Sequence, residues 1–324
     1  MNGAPRISVA IPLHNEAAVL PELLRRLGMA LDRLAGGPHE IVLVDDGSTD
    51  ATPRLLAEAA AHDPRLRIVL LSRNFGHQAA LTAALDQVSG DVTVVMDGDL
   101  QDEPEVIEQM VAEYAAGYDV VYVQRLQRPE SWWLRASYFV FYRLLAGLSD
   151  THLPLDAGDF GLLSRRVVEQ LRRMPEHHRY LRGLRSWVGF RQKALPVRRA
   201  ARQAGESKYS AWGLFKLASD GLLAFSIVPL RAAALLGATV VGLAVLFAAY
   251  AVYARVWLHE SPRGFTALTV LLTGFSGTIL FFLGVIGEYL GRVYEELKAR
   301  PLYVVDRVIA SAPPAESKRD VFHA

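Results

Sequence analysis

The segment "VVMDGDLQDEPE", residues 94–105, places Asp97, Asp99, Gln101, Asp102, Glu103 and Glu105 directly after an apolar run that reads as a buried strand. Side-chain oxygens at this density attract a cation. In an extended chain, residues two apart point to the same side, so Asp97, Asp99 and Gln101 can converge. Hard oxygen ligands suit Mg2+ or Mn2+, which keep part of their coordination for water and phosphate oxygens. The ion would then neutralise a diphosphate. A solvated acidic turn accounts for the bare Asp-x-Asp equally well. A calcium loop fits poorly, because Asp102 stands where its sixth position requires glycine and a strand, not a helix, leads in.

The neighbouring strand-like runs end in other polar turns. The first ends in "IPLHNE", without the G-x-G-x-x-G turn of dinucleotide oxidoreductases, and a G-x-x-x-x-G-K-[ST] loop is missing too, which argues against ATPases and GTPases. The second ends in "VDDGSTD", bringing Asp45 and Asp46 to the same edge. An acidic side chain there can bind a base imide or a ribose hydroxyl. Ser48, Thr49 or Asp50 can instead simply cap the helix that follows.

These turns need a framework. The runs Ile7 to Ile11, Glu40 to Asp46, Arg67 to Ser72, Asp91 to Asp97 and Asp119 to Val123 are apolar on both faces, as covered strands are. Amphipathic segments at Glu16 to Leu34, Ala51 to Ala61, Gln78 to Val88 and Pro104 to Ala116 alternate with them. The expected fold class is α/β, an open and mostly parallel sheet with helices on both faces and ligands at the carboxyl ends of its strands.

The C-terminal third has another composition. Ala232 to Ala254 and Phe265 to Gly287 are uncharged, mostly apolar, and long enough to cross a hydrocarbon layer about 30 Å thick. Two transmembrane helices are therefore expected. Lys208, Lys216 and Arg231 before them and Arg292, Lys298 and Arg300 after them outnumber Arg255 and Arg263 between them, which puts both ends in the cytoplasm. Ser131 to Leu148 mixes aromatics with arginines in the manner of an interfacial helix, although a core helix fits as well, and Ser207 to Arg231 resembles an in-plane ramp into the first span. The division expected is a cytoplasmic domain over 1–206, an interfacial segment over 207–231, two spans within 232–292 and a cytoplasmic tail over 293–324. That tail holds a short strand, "RPLYVV", which could pair with a neighbouring subunit, and ends in residues of disordered composition.

Charge and cysteine content narrow the classes further. The formal net charge is +1 among 324 residues, too small a basic excess for a nucleic-acid partner. With no cysteine, disulfides, thiolate catalysis and zinc-thiolate sites are excluded. The N-terminus lacks the charged and apolar stretches of a secretory signal, so the first part of the chain is expected in the cytosol.

Together "IPLHNE", "VDDGSTD", "RNFGHQAAL", "DGDLQDEPE", "DAGDFGLLSRR" and "GESKYS" occur in the order and at about the spacing of a family 2 glycosyltransferase. With its two apolar stretches, the chain resembles the polyprenyl-phosphate branch, similar to dolichol-phosphate mannose synthases and to bacterial enzymes that make undecaprenyl-phosphate glucose or aminoarabinose. The resemblance covers about residues 6 to 306. It implies a GT-A-like domain and a nucleotide-binding set at Pro12, Asn15, Glu16 and Asp46, with Asp45 nearby and Gly98 beside the metal triplet. It implies metal ligands at Asp97, Asp99 and Gln101, phosphate-receiving arginines at Arg125 and Arg135, and a basic residue on a mobile loop beside the active site at Lys208. His14 stands where many relatives carry tyrosine, and Gly161 where bacterial relatives often carry arginine.

The implied reaction moves one sugar from a nucleotide diphosphate sugar to a polyprenyl phosphate at the face of a lipid bilayer. The acceptor is a phosphate monoester with a second pKa of about 6, already mostly dianionic at neutral pH, so a strong general base is less necessary. Asp159, with Asp156 second, is the candidate for orienting the acceptor or assisting deprotonation; a structural turn carboxylate is the plainer alternative. A single displacement predicts inversion at the anomeric carbon. Two other readings stand beside this one: a processive polysaccharide synthase, whose Q/R-x-x-R-W element is approximated one residue out of register by Arg182, Arg185 and Trp187, and a non-catalytic membrane scaffold that binds a nucleotide sugar. Uridine diphosphate sugars, glucose first, are favoured over guanosine diphosphate mannose, and a homo-oligomer is left open.

Overall fold

The computed structural model describes residues 3–125, 157–177, 179–197, 228–257 and 264–310. Four βα repeats and a fifth strand open the chain: β1 (Ile7–Leu13), α1 (Leu20–Asp32), β2 (Glu40–Asp45), α2 (Thr52–His62), β3 (Leu66–Leu71), α3 (His77–Gln87), β4 (Val92–Val95), α4 (Ile107–Ala115) and β5 (Val120–Arg125). There follow β6 (Ala157–Ser164), α5 (Arg165–Arg173), α6 (Leu181–Trp187), β7 (Gln192–Val197), the long helices α7 (Val228–Trp257) and α8 (Gly264–Leu297), and β8 (Val305–Ala310).

Burial explains the layering. Every residue of β1 and β2 is buried, as strands covered on both faces must be. α1 buries Leu20, Leu23, Leu27 and Leu31, the three-and-four spacing of one helical stripe, and these close over Ile7, Ile11 and Leu43. The helix begins about a turn later than the expected Glu16. Asn15 takes φ 57°, and Glu16 accepts the amides of Val19 and Leu20 in an irregular turn before α1 becomes regular.

The eight strands are ordered β7-β5-β6-β4-β1-β2-β3-β8. The open sheet forms as expected, but it is mixed. β1 runs parallel to β2 and β4, β2 to β3 and β5 to β7, whereas β6 is antiparallel to both β4 and β5, and β8 is antiparallel to β3. β6 is the strand in "DAGDFGLLS", whose alternation of glycine, carboxylate and apolar residues gave no clear strand pattern. It runs back through the centre of the sheet and so carries Asp159 in among the parallel strands.

The amino end of the sheet is tied by one buried carboxylate. Glu40 accepts hydrogen bonds from the Ser8 hydroxyl, the Ser89 amide and the Ser89 hydroxyl, and Arg6 stands 3.4 Å away. Burial pushes its carboxyl up, but these donors and Arg6 prevail and hold it below the usual range. This network joins β1, β2 and the turn before β4, leaving the opposite end free for ligands.

The described residues fall into two compact units, one containing the sheet and its helices together with the segment from Pro301, the other containing α7 and α8. In the first unit, β8 pairs with β3 of its own chain from Arg67↔Ala310 to Leu71↔Val305, and Ser72 donates its amide to the Val304 carbonyl at 2.9 Å. The strand expected at "RPLYVV" forms one turn later, at Val305–Ala310, and pairs within the chain, because the ladder needs an edge and β3 offers it. In the second unit, α7 and α8 cover both apolar stretches and expose Leu235, Leu246, Leu280 and Phe281. Among the described residues, Gly274–Leu297 is long and apolar enough to cross a membrane, and Leu235–Tyr250 is a shorter apolar stretch. Most of the two segments expected at the interface, and the tail beyond residue 310, lie outside the described residues.

Candidate active site

Three loops meet at the carboxyl ends of β1, β2 and β3. The backbone amides of Asn15, Glu16 and Ala17 donate to Ser48 Oγ (2.9 Å), Thr52 Oγ1 (3.0 Å) and Asp50 Oδ2 (3.2 Å), and Asn15 Oδ1 accepts the Thr49 amide at 2.8 Å. The polar residues of "GSTD" therefore hold the turn after β1, while Asp50 also takes the Thr52 amide at 2.9 Å beside its own helix. Gly47 makes the loops' close approach feasible. It has φ 63°, and an added Cβ would stand 2.4 Å from the Arg73 carbonyl carbon.

The two aspartates of this edge do different work. Asp46 accepts the amides of Phe75 (2.7 Å) and Gly76 (2.9 Å), fixing the "RNFG" loop that leads into α3. Asp45 is equally buried and is held by Ser48, whose amide donates to Oδ2 at 3.2 Å. Its Oδ1 is buried without a partner among the described residues, and burial pushes its carboxyl up. A buried acceptor left open is costly unless a donor arrives. His14, where a stacking ring was in question, donates through Nδ1 to the Asp46 carbonyl at 2.9 Å and adjoins Asn74.

Pro12 lies buried on β1, and Gly98 packs under it: a Cβ there would stand 2.3 Å from Leu13 Cδ2 and 3.4 Å from the Pro12 carbonyl oxygen. β4 ends at Val95, so the run through Asp97, Asp99 and Gln101 is not extended as expected. Leu100 turns the chain with φ 58°, and Asp99 Oδ1 accepts the Gln101 amide at 3.1 Å. The turn leaves Asp97 facing two residues from elsewhere in the fold. His77 Nε2, at the start of α3, lies 3.6 Å from Asp97 Oδ1 and 3.8 Å from Asp159 Oδ2. The protein packed around Asp97 pushes its carboxyl up; His77 and Arg182 oppose this, while Asp159 and Asp99 add to it.

Asp159 has a partner that sequence reasoning did not assign. Arg182 of α6 donates through Nε to Oδ1 at 2.7 Å and through Nη2 to Oδ2 at 3.0 Å. Burial pushes the Asp159 carboxyl up, but the bonds and charge of Arg182 outweigh it and hold the group below the usual carboxylate range. α6 is itself placed by α3, since Gln78 Oε1 accepts the Leu181 amide at 3.0 Å. Below it, Arg185 is buried. It donates to the Gly158 carbonyl at 3.3 Å, lies 4.9 Å over the Tyr122 ring, and leaves Nε and Nη2 unpartnered among the described residues; burial pushes it down to about 10. Gly161 pairs with Tyr122, and a Cβ at 161 would stand 2.7 Å from the Val121 carbonyl oxygen, so the arginine of relatives has no room here.

The sequence signals for these residues were present but ambiguous. His77 sits in "RNFGHQ" and Arg182 in "RGLRSW", neither of which announces a carboxylate partner some distance away in sequence. Arg125 ends β5; Arg135, Asp156 and Lys208 lie outside the described residues.

The glycosyl transferase family 2 model matches residues 8–172. An uncharacterised glycosyltransferase of Bacillus subtilis is 41% identical over 93% of this chain and 93% of its own length. The chain belongs to glycosyltransferase family 2. Other relatives of this family 2 glycosyltransferase include an Escherichia coli prophage bactoprenol glucosyl transferase homolog, 35% identical over 94% of this chain and 99% of the relative. An undecaprenyl-phosphate 4-deoxy-4-formamido-L-arabinose transferase of Edwardsiella ictaluri is 34% identical over 96% of this chain and 97% of the relative. Among solved structures, the mannosyltransferase PcManGT of Pyrobaculum calidifontis, in complex with GDP-Man and Mn2+, aligns over 91% of this chain and 86% of that one, at 23% identity and a TM-score of 0.46.

The family 2 site bears on the expected metal. Among the described residues, no group of three or more His, Asp or Glu side chains could by itself hold an ion. Mg2+ and ions like it are commonly held by one or two carboxylates plus substrate phosphates, and the oxygen donors of Asp97, Asp99 and Gln101 fit that arrangement.

Proposed function

We propose that this glycosyltransferase transfers a single sugar from a uridine diphosphate sugar, glucose first, to the phosphate of a polyprenyl lipid at the cytoplasmic face of a membrane. The observation that carries the reading is the end-to-end similarity to relatives named for bactoprenol glucosyl and undecaprenyl-phosphate arabinose transfer. In this reading α7 and α8 both span the bilayer, Arg125, Arg135 and Lys208 receive phosphates, and the catalytic face meets the lipid headgroup where the acceptor phosphate emerges.

Bond making is simple. An acceptor phosphate oxygen forms a bond to the anomeric carbon as the bond from that carbon to the donor diphosphate breaks, with inversion. Asp97, Asp99 and Gln101 would hold a Mg2+ or Mn2+ ion, which when bound offsets the charge growing on the leaving diphosphate. Asp45 takes the donor's base or ribose through its open Oδ1. Asp46, Asn15 and Glu16 shape the loops around it, with Pro12 and Gly98 as its floor. Asp159, kept anionic by Arg182, is a poor proton acceptor and serves to orient, which suits an acceptor that is already ionised.

The test incubates the purified full-length protein with undecaprenyl phosphate, Mg2+ or Mn2+ and a panel of nucleotide sugars. The expected product is a lipid carrying one sugar, formed best from UDP-glucose. Polymer on the lipid, or binding of the donor without transfer, would replace this reading with a processive synthase or a non-catalytic binder.

A further inference from the structure

The strand order lays the candidate residues out in a line. Along β2-β1-β4-β6, Asp45 ends β2, the Asp97 turn follows β4 two strands on, and Asp159 of β6 lies one strand beyond, neighbouring strands being about 4.8 Å apart. Val95 pairs with Gly161, so Asp97 and Asp159 each stand two residues further toward the same edge of the sheet. His77 Nε2 lies within 3.8 Å of both carboxylates. With the donor's nucleoside at Asp45 and its diphosphate at Asp97, a single displacement brings the attacking group from the far side of the anomeric carbon. That is the side of Asp159.

Charge there is not balanced. Arg182 and Arg185 of α6 both lie close enough to feel the Asp159 carboxylate, which leaves one of the two cations without a counter-charge in this cluster. Buried cations are ordinarily paired. Arg185 is sealed inside the protein, with its open nitrogens out of a ligand's reach. Arg182 differs: its side chain is 36% exposed, Nε and Nη2 are held by Asp159, and Nη1 makes no hydrogen bond among the described residues and is not one of the buried nitrogens. The fork to Asp159 therefore presents Nη1 as a donor of fixed direction. We propose that Arg182 Nη1 receives the terminal phosphate of the lipid acceptor, so that α6 supplies a phosphate-binding cation beyond Arg125, Arg135 and Lys208. This rests on the reading that the acceptor is a polyprenyl phosphate. A guanidinium stays charged at any working pH, so it can meet the acceptor as the dianion that it already mostly is. Asp159 then aims Arg182 as much as Arg182 aims Asp159.

The experiment titrates the full-length protein in detergent with farnesyl phosphate, with farnesol and, in the presence of Mn2+, with uridine diphosphate. Losing a hydrogen bond to a charged group costs about 10–100-fold in affinity, so Arg182→Gln is expected to weaken farnesyl phosphate by that factor while farnesol and uridine diphosphate bind within about twofold of wild type. Arg182→Lys, a point charge without the fork, is expected to recover most of the loss. An equal weakening of farnesol would make Arg182 structural, and a loss confined to uridine diphosphate would move it to the donor; either result overturns the proposal. A wild-type preference for farnesyl phosphate over farnesol that survives unchanged in Arg182→Gln would overturn the Arg182 assignment alone. Wild-type protein without that preference would overturn it together with the polyprenyl-phosphate reading. Should Arg182→Gln not fold, the wild-type protein still decides: phenylglyoxal modification of Arg182, followed by mass spectrometry, is expected to be slowed by farnesyl phosphate but not by farnesol, and equal rates would sink the proposal.

Discussion

Arg182 meets Asp159 side-on, its Nε and Nη2 each bonding a separate carboxylate oxygen, at 2.7 and 3.0 Å. Such a fork fixes the plane of the carboxylate as well as its charge. Arg182→Lys keeps a cation but loses the fork. Misplacing a reacting or orienting group by about 1 Å can cost about 100-fold, and a loss of that order in kcat is expected, with a thermal midpoint close to wild type. Steady-state kinetics beside a melting curve checks this; an unaltered kcat would show that Asp159 needs no aiming.

Asp45 offers a different kind of test, since one of its oxygens is buried and open while the other holds Ser48. If the donor nucleoside supplies the missing N–H or O–H, Asp45→Asn turns part of that acceptor into a donor. A hydrogen bond to a charged group is worth about 1.5–3 kcal/mol. Calorimetric titration with uridine diphosphate is expected to show weakening of about 10–100-fold, while Asp45→Asn remains as stable as wild type or gains slightly, because the orphaned charge is gone. Equal affinity in both proteins would remove Asp45 from the nucleotide site.

How far the sequence could be read follows from the range of each interaction. The apolar runs that became β1 to β5 and the turns at Asp45, Asp46, Asp97 and Asp99 were legible, because burial on both faces and turn chemistry are local. β6 was not: Gly158, Asp159 and Gly161 break the apolar pattern, and a strand that pairs with β4 and β5 is defined by those partners. The same reason hid His77 and Arg182, which α3 and α6 bring to carboxylates from other parts of the chain. The Asp-x-Asp reasoning assumed an extended chain, and Leu100 at φ 58° shows a turn. The resemblance implies a nucleotide ligand at Asp46, and nothing local in the sequence shows that its carboxylate also holds the Phe75 and Gly76 amides.

Acid should find the amino end of the sheet. Glu40 titrates below its ordinary value in the folded chain, because the Ser8 and Ser89 donors and Arg6 outweigh burial. A carboxylate with a depressed folded pKa contributes stability that is complete above its unfolded value, about 4.3, and is lost as pH falls through the folded one. The wild-type melting temperature is expected to hold from neutral pH to near that value and then drop. Glu40→Gln leaves buried donors poorly matched and is expected to be less stable at pH 7 by about 1–3 kcal/mol, with the difference shrinking as the pH is lowered. A difference that stays constant down to pH 3 would mean that Glu40 acts by shape and not by charge.

The return of the chain after α8 is the last feature whose removal can be read cleanly. β8 covers the edge of β3, and Tyr303 donates its hydroxyl to Asp86 of α3 at 2.7 Å. β3 runs into the loop that Asp46 holds, and α3 begins with His77, so both elements tied by this segment lead to the site. Tyr303→Phe removes one hydrogen bond, worth about 1 kcal/mol, and should lower the melting temperature by about 2–4 °C with nucleotide affinity kept. Ending the chain after Leu297 removes the whole strand and bares a ladder of unpaired groups along Leu66–Leu71, an edge prone to pairing with other chains. Size-exclusion chromatography in detergent is expected to show aggregation of that truncated protein and titration a loss of uridine diphosphate binding, even though both long helices remain. If it stayed dispersed and bound nucleotide as the full chain does, β8 would be a passenger on a sheet complete without it.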